Sequence, residues 1–152
     1  MRTPIRILVV DDYAPWRRFL RCTLGMHDEF EAVAECSDGH EAIQMAKELK
    51  PDLILMDIGL PTLNGIEAAR HIREVSPESK ILFVSQNRSP EIVEEGLSTG
   101  AEGYVVKSDA ARELLPAIKA AFEGKRFISA SLAGHFLIAA ILTATQYLFQ
   151  GF

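Results

Sequence analysis

A chain of 152 residues is long enough for one ordinary buried core and too short for two, so one domain with an appendage is expected. With 24% charged and 48% hydrophobic residues, the composition is that of a folded globular protein and excludes both disorder and fibrous repeats. The 16 basic and 21 acidic residues give a net charge of -5, which lacks the electrostatic footprint of a phosphate-backbone binder, so direct nucleic acid binding is not expected.

The chain opens with Ile5–Val10, a short apolar, β-branched run that stops at Asp11 and Asp12, as a strand buried on both faces does at a loop. No long apolar region with a small-residue cleavage site precedes it, so export is not indicated. Trp16, Phe19, Leu20 and Leu24 then recur at helical spacing, where an aromatic is more often core than a binding platform. A second strand is expected at 32–36, and Ser37-Asp38-Gly39 introduces a helix carrying Ala42, Ile43, Ala46 and Leu49, closed by Lys50-Pro51. Leu53–Met56 is the third strand, followed by Ile66, Ala69 and Ile72 on a helix that ends at Ser76-Pro77. The fourth strand, 81–85, precedes a helix marked by Ile92, Val93 and Leu97, with Ser98-Thr99-Gly100 behind it. Gly103–Val106 is the fifth strand, and Leu114, Ile118, Ala121 and Phe122 mark the fifth helix. Five strands alternating with five helices imply a doubly wound α/β fold, a parallel sheet with helices on both faces.

In such a sheet the ligand site lies beyond the carboxyl ends of the strands, where Asp11, Asp12, Asp57, Ser85 and Lys107 should converge. Three crowded carboxylates repel one another unless a cation binds, and an all-oxygen set suits Mg2+. Lys107 and the Ser85 hydroxyl would contact the oxygens of an incoming phosphoryl group, with Asp57 as the nucleophile. Taken singly, each has a plainer reading. Asp11 and Asp12 could be a loop and helix-cap pair, Lys107 a solvated surface lysine and Ser85 a strand-end hydroxyl. Only their company makes a site.

That company resembles the receiver domains of two-component response regulators. The matching residues are Asp11-Asp12, Asp57 within Leu55-Met56-Asp57-Ile58-Gly59-Leu60-Pro61, Asn64-Gly65, Ser85 and Lys107, over roughly residues 5–124. The resemblance implies a flavodoxin-like (CheY-like) fold with a five-stranded sheet in the order 2-1-3-4-5 and a receiver at 1–124. It also implies phosphorylation of Asp57 by a sensor histidine kinase, with magnesium held by Asp12, Asp57 and the Gly59 backbone carbonyl, and by Asp11 through a water. Ser85 and Tyr104 match the family's coupled switch pair, although Tyr104 alone would read as a half-buried aromatic. The output surface would lie around the fourth helix, fifth strand and fifth helix. No catalytic activity beyond the protein's own phosphorylation and dephosphorylation is implied.

A rival phosphatase of related topology would place its nucleophilic aspartate directly after the first strand with a second two residues later. The adjacent pair Asp11-Asp12 and a central Asp57 disfavour it. His27, His40, His71 and His135 have no metal or relay spacing. Cys22 and Cys36 form no CxxC pair, and reduced thiols in a cytoplasmic protein are expected.

Residues 103–110 and 124–129 resemble the subfamily that usually carries a LuxR-type helix-turn-helix output, which should begin soon after Ser131. Instead, 132–149 has no Lys, Arg, Asp or Glu and no basic recognition helix. Residues 125–152 are therefore expected to be an apolar, helical tail. A membrane span is disfavoured by Gly134, His135, Thr143, Thr145 and Gln146. A homodimer contact through this tail, or through the surface of the fourth and fifth helices, is preferred. Two functional classes remain open: a phosphorylation-dependent module acting through protein contacts, and a truncated or decoy regulator that takes phosphate without an output, or a DNA-binding regulator's receiver whose output domain is missing.

Overall fold

The apolar runs become strands because each is short, rich in β-branched residues and bounded by turn chemistry. In the computed structural model, which describes residues 3–132 and residue 134, they form β1 (Ile5–Val10), β2 (Phe30–Cys36), β3 (Leu53–Met56), β4 (Lys80–Ser85), β5 (Gly103–Val106) and β6 (Phe127–Ile128). The helices are α1 (Ala14–Gly25), α2 (Gly39–Leu49), α3 (Gly65–Val75), α4 (Pro90–Ser98) and α5 (Ala110–Phe122), with a 3-10 turn at Lys107–Asp109. All neighbouring strands are parallel, in the order β2-β1-β3-β4-β5-β6. The fold is thus the flavodoxin-like one, with the expected five strands in the expected order and a sixth added.

Helices cover both faces. Leu8, Val10, Ile54, Met56, Phe83 and Tyr104 face α2, α3 and α4, while Ile7, Val9, Leu53, Leu55, Leu82 and Val105 face α1 and α5. That alternation is the period of two expected of strands buried on both sides. Asp38 caps α2 by accepting the Glu41 N–H at 2.8 Å, and Lys50 closes it at a left-handed φ of 47° before Pro51. Asn64 caps α3 by accepting from the Ile66 and Glu67 N–H groups.

Beyond the expected domain end at residue 124, the chain adds β6 to the sheet edge, pairing Gly103 with Phe127 and Tyr104 with Ile128. A two-residue strand carries no periodicity, so the sequence pattern did not announce it. The Ser129 N–H then donates to the Tyr104 carbonyl, its hydroxyl accepts from the Val106 N–H at 2.8 Å, and Leu132 is buried against the α4 side of the core. The expectations of a tail helix, a dimer contact and a disfavoured membrane span rest on residues 132–149, nearly all of which lie outside the described residues. Among the described residues no helix is long and apolar enough to cross a membrane.

Candidate functional site

The strand order reverses at β1, which has β2 on one side and β3 on the other, and this opens a crevice at the carboxyl ends of the strands. Val10 is in register with Met56, so the next residues, Asp11 and Asp57, stand side by side. The ladder fixes both: the Asp57 N–H donates to the Val10 carbonyl at 2.9 Å and the Asp11 N–H to the Cys36 carbonyl at 3.1 Å. Asp12 follows, exposed, and carboxylate oxygens of Asp11, Asp12 and Asp57 lie within 4.8 Å of one another.

On the other side of the crevice Ser85 is in register with Val106, which brings Lys107 out at the same edge. Lys107 Nζ lies 2.6 Å from Asp11 Oδ2 and 3.3 Å from Asp57 Oδ2. Asp57 Oδ1 accepts the Ile58 N–H at 2.8 Å. A cavity of about 680 Å³ opens over these groups, lined by Asp12, Asp57, Gly59, Ser85, Asn87 and Lys107. The structure therefore brings together every residue expected at the strand ends, with Asp11 the most deeply buried of them. Burial, and after it the charge of Asp11, push the Asp57 carboxyl above the usual carboxylate range, against the pull of Lys107.

The donor set fits a hard cation. Asp11 Oδ1 accepts the Tyr13 N–H, whereas Asp11 Oδ2 is buried without a well-directed hydrogen bond among the described residues. Three carboxylates with one such oxygen are a site that a small divalent ion would neutralise.

Tyr104 is fully buried, not half-buried, with its ring 6.2 Å from that of Phe83. Its hydroxyl donates to the Asn87 carbonyl at 2.6 Å, and the Ser85 hydroxyl accepts the Asn87 N–H at 3.1 Å. The two switch candidates thus hold the same backbone residue of the loop between β4 and α4. Burial pushes the Tyr104 phenol up, and the neighbouring Ser85 hydroxyl opposes the shift.

Two features carry more than the sequence pattern suggested. A Cβ at Gly65 would collide with the Asp57 carbonyl oxygen, and the Gly65 N–H donates to the Ile58 carbonyl at 2.8 Å, so the start of α3 is seated on the backbone of Asp57 and Ile58. Trp16, read as a core aromatic, lies with its ring centroid 5.2 Å from Lys107 Nζ. Its place one helical turn beyond Asp12 is the only sequence signal that hints at this.

Comparison with known proteins points the same way. Residues 7–119 match the family model described as the response regulator receiver domain. The transcriptional regulatory protein DegU of Brevibacillus brevis is 37% identical over 124 residues, covering 82% of this chain and 52% of DegU. The nitrate/nitrite response regulator NarL of Escherichia coli K12 is 34% identical over 143 residues, 94% of this chain and 65% of NarL. The chain thus spans about half to two thirds of the length of these relatives. A solved LuxR-family two-component response regulator from Aurantimonas sp. SI85-9A1 superposes with a TM-score of 0.86 at 33% identity, over 91% of this chain and 99% of that one.

Proposed function

The chain belongs to the response regulator receiver family, and from that premise we propose that it accepts a phosphoryl group on Asp57 from the phosphohistidine of a sensor kinase and passes the event on through protein contacts. The observation that carries this reading is the placement of Asp57, at a strand end and in a cavity, between Lys107 and the Asp11-Asp12 pair.

A carboxylate oxygen of Asp57 attacks phosphorus, forming a P–O bond as the P–N bond breaks. The electron pair stays on the imidazole nitrogen, and the ring leaves neutral when its other nitrogen carries a proton. Such a step needs little covalent help from the protein and much positioning and charge neutralisation. Lys107 supplies a fixed positive charge for the phosphoryl oxygens, and the Ser85 hydroxyl faces the same cavity. Asp12, Asp57 and the Gly59 carbonyl would hold Mg2+, with Asp11 in support; the ion would neutralise charge on the phosphoryl oxygens.

Once the phosphoryl group is in place, Ser85 turns toward it and releases the Asn87 N–H. Asn87 also receives the Tyr104 hydroxyl, so a change at Ser85 reaches the loop before α4 and the ring beneath it. The surface of α4, β5 and α5 is the output surface in this reading, and the protein works in the cytoplasm beside its kinase. Lys107→Ala is expected to keep some labelling while uncoupling it from the response at Tyr104.

The test is intact-mass analysis after incubation with acetyl phosphate and Mg2+. The wild type is expected to gain one phosphoryl mass and Asp57→Asn none, since the amide is nearly isosteric but a poor nucleophile. Equal labelling of Asp57→Asn would overturn the assignment.

A further inference from the structure

Lys107 is held from three sides. Two are the carboxylates of Asp11 and Asp57. The third is the Trp16 ring, whose centroid lies 5.2 Å from Nζ, within the range in which an ammonium is attracted to the electron-rich face of an indole. The lysine side chain is only 10% exposed, and with little water to screen it such a contact is worth more than one at an open surface.

The tryptophan is oriented by its faces. A partly buried indole is ordinarily anchored through its N–H, yet Trp16 Nε1 is buried with no hydrogen-bond partner among the described residues. The ring is fixed by packing: it lies 4.8 Å, centroid to centroid, from Phe19 one turn further along α1, and both rings pack against the core under α1 and α5. Contact runs from the core, directly and through Phe19, to Trp16, then to Lys107 and the Asp57 carboxylate.

We propose that Trp16 is a positioning residue for phosphoryl transfer: its indole face holds the Lys107 ammonium beside Asp57, where the phosphoryl oxygens arrive. The proposal rests on the reading of Asp57 as phosphoacceptor and adds a residue to it. Without the ring, Lys107 Nζ keeps only its two carboxylate partners, Asp11 at 2.6 Å and Asp57 at 3.3 Å, and loses the contact that limits its orientation between them. The ammonium then meets the transferring group less often, so transfer slows while the nucleophile itself is untouched.

Trp16 is the one tryptophan in the chain, so it can be replaced biosynthetically by 5,7-difluorotryptophan, which weakens the negative face of the ring and leaves its shape almost unchanged. Labelling rates with phosphoramidate at saturating Mg2+ are compared for wild type, the fluorinated protein, Trp16→Leu, and the same changes in a Lys107→Ala background. A loss of about 5-fold is expected for Trp16→Leu and about 2-fold for the fluorinated protein. Neither change should alter the rate once Lys107 is gone. The proposal is overturned if the fluorinated protein labels at the wild-type rate, or if the losses persist undiminished in Lys107→Ala. Because the fluorinated ring preserves packing, it decides the matter even if Trp16→Leu does not fold. Failure of the wild type itself to label would instead refute the assignment of Asp57.

Discussion

At the scale of single residues, the site is an electrostatic conflict held in place by the backbone. Asp11 and Asp57 are placed side by side by ladder hydrogen bonds, and one lysine faces both. A divalent ion relieves that conflict only in the folded state, so Mg2+ is expected to stabilise the protein. At tenfold excess over Kd the gain is about 1.4 kcal/mol, a rise in Tm of roughly 4 °C. Asp12→Asn should lose most of that rise in thermal melts with and without Mg2+; an equal rise in both proteins would argue against the acidic cluster as the binding site. The two cysteines offer a second check. Burial pushes the Cys36 thiol up to about 12, whereas Cys22 is exposed. A raised pKa means that the neutral thiol belongs to the fold. Its contribution is complete below the ordinary thiol range and is lost as pH rises through that range toward 12. Ellman's reagent at mildly alkaline pH should therefore titrate Cys22 alone in the native protein and both thiols after unfolding. Rapid titration of both in the native state would contradict the burial of Cys36.

At the scale of elements, α3 is where structure and chemistry are most tightly tied. Its cap, Asn64, is followed by Gly65, which lies against the Asp57 backbone. Asn64→Ala is expected to cost about 1 kcal/mol by leaving the Ile66 and Glu67 N–H groups unsatisfied. Gly65→Ala must displace the Asp57 carbonyl and should cost about 1–3 kcal/mol and slow phosphorylation as well. Urea melts paired with labelling rates separate the two, and a Gly65→Ala protein with wild-type labelling would show that α3 can move without disturbing Asp57. Strands such as β1, β3 and β5 were legible in the sequence because burial on both faces writes them as unbroken apolar runs. The site residues were legible for a related reason, since each is the first polar group after such a run. The edge strand β2 is exposed or only half-buried over its first six residues, so it carries no unbroken apolar run, and it was read two residues short, beginning at 32 and not at Phe30. The ring of Trp16 over Lys107 was not legible, because a contact between a helix and a strand end depends on side-chain directions that periodicity does not record.

At the scale of the whole molecule, the chain beyond α5 is bound into the part of the fold that carries Tyr104 and Lys107. Ser129 accepts from the Val106 N–H, one residue before Lys107, and donates its N–H to the Tyr104 carbonyl. Leu132 fills the same side of the core as Tyr104, Val93 and Leu97. Leu132→Ala is expected to cost about 2 kcal/mol by opening a cavity there, measurable as a lower urea midpoint at unchanged m. A neutral effect would mean that Leu132 is peripheral to the core. The sequence left this segment to the tail because a two-residue strand and one apolar side chain make no pattern by themselves.

Phosphoryl transfer to Asp57 would leave a covalent bond on one side chain. Borohydride reduces an aspartyl phosphate to homoserine, so the protein should be phosphorylated with phosphoramidate and Mg2+, reduced, digested and mapped by mass spectrometry. Homoserine at position 57, absent when phosphoramidate is left out, is the predicted result. Homoserine at position 11 or 12 in its place, or at no aspartate, would contradict the assignment of Asp57 as the phosphoacceptor.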